Sequence, residues 1–154
     1  MTMSYILISA GETGKLVYRR ESLLQRIEKL REYRHDLQQM SGISSEQYGK
    51  DKNMKYAMER LLFLMCENIL DFLDHILSSR FEIISESYED IIDNAHKKEL
   101  IDHSLYAKLT GLGGFRNILA HEYMQISDQE VFRNFEKMVQ MIDTVVDTFE
   151  KIVE

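Results

Sequence analysis

The sequence predicts an all-α protein, an antiparallel bundle of about five helices in one domain. Three observations carry that expectation. Apolar residues recur at spacings of three and four along most of the chain, the period of a helix with one buried face. None of the 154 residues is a proline, so nothing has to interrupt a long helix. Ser, Asp and Gly fall between the periodic stretches, where helices start and stop.

The first 15 residues carry the weakest pattern. Tyr5-Ile6-Leu7-Ile8 suits either a short strand or the start of a helix. The stretch AGETGKL, residues 10–16, superficially resembles a phosphate-binding loop. That loop requires Gly, four residues, then Gly-Lys-Ser/Thr. Here Ser9 stands at the first Gly and Leu16 follows Lys15, so a turn before a helix is the expectation.

A helix is expected from about residue 16 to 40, with Leu23, Ile27, Leu30 and Leu37 on one face. The stretch SGISS at 41–45 ends it, and Ser44 with Gln47 suits the cap of a short helical turn. Asp51 then opens the longest helix, reaching about Ser79. Met54, Met58, Leu61, Leu62, Met65, Ile69, Phe72, Leu73, Ile76 and Leu77 give it a core face. Its methionines read as packing material. Cys66 lies inside this run and is expected to be a buried thiol, which fits a reducing cytoplasm. His75, beside core positions, reads as a partly buried, hydrogen-bonded histidine.

Ser87 with Asp90 signals a helix near 88–97, with Ile91, Ile92 and Ala95 inward. Asp102 caps a further one to about Leu112. Gly111, Gly113 and Gly114 are expected to loosen the chain before a short helix within residues 113–123, GGFRNILAHEY. Ser127 with Glu130 reads as a capping box for the last helix. Val131, Phe135, Met138, Ile142, Val145, Phe149 and Ile152 form its seam, which suits packing within the bundle or across a dimer.

The totals narrow the function. Nineteen basic against 26 acidic residues give a net charge of -7, which disfavours broad non-specific nucleic-acid binding but leaves room for a small basic site. No apolar run approaches the roughly 18 residues of a membrane span. Tyr5-Ile6-Leu7-Ile8 is too short for a signal peptide and lacks a charged flank, so no membrane association is expected.

The short segment concentrates the chemistry. At about 100° per residue, Tyr123 lies about 20° from Arg116, Asn117 near 100° and His121 near 140°. Phe115, Ile118 and Leu119 take the opposite half. Ala120 lies about 40° from Arg116, on the side of Asn117 and His121, small enough to leave a hollow. The polar sector holds no Lys or Glu, the usual residues of a merely solvated face. It combines a fixed cation, an amide, an imidazole and a phenol. Imidazole suits proton transfer near neutrality, and a guanidinium offers a planar fork to phosphate oxygens.

RNILAHEY, residues 116–123, resembles the hallmark of the HEPN superfamily, and specifically of the HepT-like toxins of bacteria and archaea. The long second helix and the terminal helix agree, and the resemblance covers roughly residues 20–154. Residues 1–15 fall outside it, as an unmatched extension of one helical domain over 1–154. The resemblance implies a metal-independent ribonuclease toxin, without cofactor, working on RNA as a homodimer whose two motifs face each other. Arg116 and His121 would be the catalytic pair, Asn117 supporting. It further implies a minimal nucleotidyltransferase (MNT-type) antitoxin that adenylylates Tyr123; the alternative is that Tyr123 contacts RNA.

Other candidates are weaker. Glu32 and His35 have the Glu-x-x-His spacing of di-iron bundles, and only Asp93 with His96 resembles a second copy, so no metal site is expected. His96 and His103 are expected to be exposed. Lys97, Lys98 and Lys108 suit either a positive margin to an RNA path or a solvated surface. A non-catalytic HEPN-like module that binds nucleotide, RNA or a nucleotidyltransferase is the rival reading, and a plain dimeric scaffold is the next.

Overall fold

Helices begin where a side chain supplies the bond that the first backbone amides lack. The computed structural model describes residues 6–7, 16–17, 20–121 and 126–154. Its helices are α1 (Arg20–Gln39), α2 (Ser45–Lys50), α3 (Lys52–Phe81), α4 (Tyr88–Lys97), α5 (His103–Leu109), α6 (Leu112–His121) and α7 (Asp128–Ile152). Ser44, Asp51, Ser87, Asp102 and Ser127 each accept a hydrogen bond from a backbone amide of the following helix. A reciprocal capping box forms at Ser44 and Gln47. At Ser127 the bond runs from the Glu130 amide to the hydroxyl.

Paired side chains set the directions of the long helices. Arg20 donates to the Val153 carbonyl at 2.9 Å, and Arg34 meets Asp143 at 3.2 Å, so α1 and α7 are antiparallel. Lys55 meets Asp128 at 2.9 Å, and Phe72 stacks on Phe149 with centroids 3.8 Å apart, so α3 runs parallel to α7. It follows that α1 and α3 are antiparallel. Asn68 ties them by donating to the Arg26 carbonyl at 3.0 Å.

The expected bundle is therefore present, with α1, α3, α4, α6 and α7 as its main helices and α2 and α5 as single short additions. Leu23, Ile27, Leu30 and Leu37 are all buried, as are Met58, Phe72, Ile91, Ile92 and Ala95. The seam of α7 is buried inside the protomer from Val131 to Phe149, which decides between the two placements left open for it. Cys66 is a buried free thiol, and burial pushes its pKa up to about 12. His75 is fully rather than partly buried. No helix among the described residues is long and apolar enough to cross a membrane.

Two boundaries differ from expectation. Leu16 and Val17 are not helical but form strand β2, paired antiparallel with β1 (Ile6–Leu7), Ile6 opposite Val17 and Leu7 opposite Leu16. Residues 10–15, with the rejected phosphate-loop pattern, lie outside the described residues. The second difference concerns the glycines. Gly111 does turn the chain, at φ 94°, but α6 already begins at Leu112 and contains Gly113 and Gly114.

Gly113 is there for close approach. A Cβ on it would lie 2.5 Å from the Tyr88 Cβ and 3.1 Å from Glu89 Oε1. That absence of a side chain lets the first turn of α6 seat directly against the start of α4. Glu89 completes the seat, accepting from the Gly113 amide at 2.9 Å and the Gly111 amide at 3.3 Å. A carboxylate at that end also complements the helix dipole.

Gly113→Ala is expected to destabilise the protein by roughly 1–3 kcal/mol, because the Tyr88 Cβ is fixed to backbone and cannot give way. Gly114→Ala meets nothing within 4 Å and is expected to stabilise by up to about 1 kcal/mol through helix propensity. Urea unfolding of the two variants checks the opposite signs.

Candidate active site

Three elements converge on Arg116. Its Nε donates to Glu67 Oε1 on α3 in an ion pair. Its guanidinium carbon lies 4.8 Å from the Tyr88 ring centroid on α4 and 5.3 Å from that of Phe63 on α3. Its Nη1 donates to Asn117 Oδ1 at 3.2 Å. The planar cation thus rests on aromatic surface, one donor tied to Glu67 and another to the neighbouring amide. The Arg116 side chain is 13% exposed and Glu67 23%, so the pair is shielded from most of the solvent.

His121 is exposed at the last position of α6, and Asn117 is exposed one turn before it. Ala120 is half-buried and lines a groove of about 670 Å³ together with Tyr56, Glu59, Arg60, Phe63 and Asp128, on the side of α6 that faces α3. The structure brings Arg116, Asn117 and His121 onto one short helix, with Arg116 turned inward and the other two outward. Tyr123, and with it its expected modification or RNA contact, lies outside the described residues.

Sequence reasoning missed Glu67, Phe63, Tyr88 and Glu89. Glu67 stands, with Asn68, between the buried Cys66 and Ile69, which is a faint signal. Tyr88 and Glu89 read only as the first turn of a capped helix. The set-aside residues are engaged elsewhere. Glu32 pairs with Lys29 at 3.0 Å, and Asp93 accepts from the Tyr106 hydroxyl at 2.7 Å. His96 is half-buried, not exposed, because its ring stacks on Tyr106 at 4.1 Å. His103 is exposed as expected. No group of three or more His, Cys, Asp or Glu that could hold a metal ion occurs among the described residues. Lys97 and Lys98 close the far end of α4, about 15 Å of helical rise from Tyr88.

The comparisons with known proteins bear on this arrangement. The Ribonuclease HepT-like family matches residues 23–149, which includes all of α3 to α6. The chain belongs to the HepT-like ribonuclease family. It is 29% identical over 107 residues to a tRNA nuclease HepT of Aphanizomenon flos-aquae (strain 2012/KM1/D3), covering 70% of this chain and 73% of that protein. Two solved structures share its fold. One is the tri-AMPylated Shewanella oneidensis HEPN toxin in complex with MNT antitoxin, with TM-score 0.73 and 21% identity over 84% of this chain and 96% of that one. The other is YutE, a cytosolic protein of unknown function from Bacillus subtilis, with TM-score 0.76 and 17% identity over 89% and 92%. Nuclease activity is thus the family's property, carried on a HEPN-type bundle.

In this HepT-like chain the electrostatics beyond Glu67 are acidic. Burial, and then repulsion by Glu67, pushes the Asp71 carboxyl up to about 7, against the opposing pull of Arg26. Its Oδ1 is buried with no hydrogen-bond partner among the described residues. Burial pushes Asp74 up to about 6.

Both groups bind protons more tightly folded than unfolded, where a carboxyl titrates near about 4. Their folded-state penalty is therefore absent below about pH 4 and grows as pH rises towards about 7. Asp71→Asn is expected to raise stability at pH 8 by on the order of 2 kcal/mol. It should also flatten the gain that the wild type shows between about pH 8 and pH 5. Urea unfolding across that range checks it, and parallel curves would exclude Asp71 as the source. Glu67→Ala, which strands a shielded guanidinium, is expected to cost on the order of 3 kcal/mol in the same assay.

Proposed function

We propose that this chain is a metal-independent endoribonuclease toxin acting in the cytoplasm as a homodimer. In it Arg116 and His121 are the catalytic pair and Asn117 supports them. The single observation that carries the reading is the seating of Arg116. A phosphate-binding cation is fixed in place by Glu67 and two rings, on the same short helix that ends in an exposed imidazole.

The chemistry follows from those groups. A neutral His121 takes the proton of a ribose 2′-hydroxyl. The 2′-oxygen attacks the adjacent phosphorus in line, and the bond from phosphorus to the 5′-oxygen breaks. A protonated His121 from a second copy gives its proton to the leaving 5′-oxygen. Arg116 stabilises the added negative charge of the phosphorane, with its position set before the reaction begins. Asn117 holds the Nη1 side of the guanidinium. The products are a 2′,3′-cyclic phosphate end and a 5′-hydroxyl end. Two copies of α6 facing each other would supply the two histidines in one cleft.

Control would come from an MNT-type nucleotidyltransferase antitoxin. It would transfer an adenylyl group from ATP to the Tyr123 hydroxyl and release pyrophosphate. The added nucleotide fills the cleft and places negative charge where RNA phosphate must bind. The Shewanella oneidensis HEPN toxin, tri-AMPylated and in complex with MNT antitoxin, supports this part of the reading.

The decisive assay is RNA cleavage in EDTA with analysis of the product ends. Wild type is expected to leave cyclic phosphate. His121→Ala and Arg116→Ala are each expected to reduce kcat at least about a hundredfold in folded protein. A 3′-hydroxyl product formed only with added metal would overturn the mechanism. No cleavage by folded protein that carries no adenylyl group would favour a binding module.

A further inference from the structure

The face of α3 that meets α6 is divided by charge. Tyr56, Arg60, Phe63, Glu67, Asp71 and Asp74 recur at spacings of four and three, which places them along one side of the helix. Arg116 meets Phe63 and Glu67, while Ala120 lines the groove with Tyr56, Arg60 and Phe63. The chain directions of α3 and α6 are therefore opposed. The His121 end of α6 points towards Tyr56 and Arg60, and the carboxylates of Asp71 and Asp74 lie beyond the other side of Glu67. A polyanion passing Arg116 towards the His121 end meets a second cation, Arg60.

We propose that the groove beside Ala120 is a nucleotide subsite for the RNA residue next to the scissile phosphate. The proposal rests on the ribonuclease reading above for what the adjacent site does. Tyr56 is the stacking platform: its side chain is 63% exposed at the edge of the groove, although it is large and apolar. An aromatic ring accepts any base face. Arg60 takes the nucleotide's phosphate. Its guanidinium carbon already lies 5.5 Å from the Phe63 ring centroid, and the same ring underlies Arg116, so the two cations share one aromatic support. Glu59 is half-buried in the groove, where burial, and then Asp128, raises its carboxyl pKa. Asp128 is committed to Lys55 at 2.9 Å. A carboxylate only accepts hydrogen bonds, so Glu59 favours a base that offers an amino edge and disfavours uracil.

The test separates binding from cleavage by using a fluorescein-labelled 2′-O-methyl RNA of mixed sequence, which lacks the attacking hydroxyl. Tyr56→Ala is expected to weaken its binding roughly tenfold, Tyr56→Phe to restore it, and Arg60→Ala to weaken it and reduce its salt dependence. With cleavable RNA, Tyr56→Ala should raise KM with little change in kcat. Glu59→Gln should redistribute the cut positions towards sites next to uracil. Unchanged binding and KM in Tyr56→Ala, while His121→Ala still abolishes cleavage, would remove the subsite and leave the ribonuclease reading standing. RNA binding through Tyr56 by a protein that cleaves nothing would keep the subsite and remove the ribonuclease reading. A shift of Tyr56→Ala from dimer to monomer in sedimentation, with unchanged RNA affinity of the protomer, would assign the groove to a second copy of the chain and overturn the proposal.

Discussion

The site depends on one ion pair between two helices that are otherwise held by apolar contact. Glu67 on α3 and Arg116 on α6 meet where both are largely shielded from water, and the rings of Phe63 and Tyr88 cover the guanidinium. A charge in that position is tolerated only when its partner is fixed opposite it. The pair therefore specifies the rotation of α6 about its own axis. A turn of α6 about its axis in either direction would separate Arg116 from Glu67.

The height and tilt of α6 come from its other end. Gly113 permits contact with Tyr88 that any side chain would prevent, and Glu89 accepts from two amides of the same turn. Tyr88 takes part in both contacts, beside Gly113 and over Arg116, so α4 couples the seating of the helix to the placement of its cation. This explains why a ten-residue helix with two glycines keeps a defined position. Its own propensity is poor. Neighbouring elements supply the order that it lacks.

The charge pattern of α3 places the chemistry within an acidic protein. The net charge of -7 works against RNA in general. Arg116 is locally balanced by Glu67, so its positive field is short-ranged. The apolar seam of α7 is spent inside the protomer, and a second copy would have to use surface outside it. Beside α6, the groove with Tyr56, Arg60 and Phe63 is the open surface next to the candidate site.

Much of this was determined by the sequence alone. Periodic apolar residues and the caps at Ser44, Asp51, Ser87, Asp102 and Ser127 are local signals, because a helix and its first turn are built from residues three and four apart. They place the helices and most of the core correctly. RNILAHEY, at 116–123, is equally local and marked the candidate site. The strand at Leu16–Val17 was not legible, since its pairing partners are nine and eleven residues away and two residues carry no period. Nor were the roles of Gly113, which looked like a loosening element, and of His96, which looked exposed. Each is decided by a residue from another element: Tyr88 against Gly113, Tyr106 against His96. The same holds for Arg116. The sequence identified the cation, but only the packing of α3, α4 and α6 decided that it faces inward, because Glu67, Phe63 and Tyr88 reach it from positions 28 to 53 residues earlier in the chain.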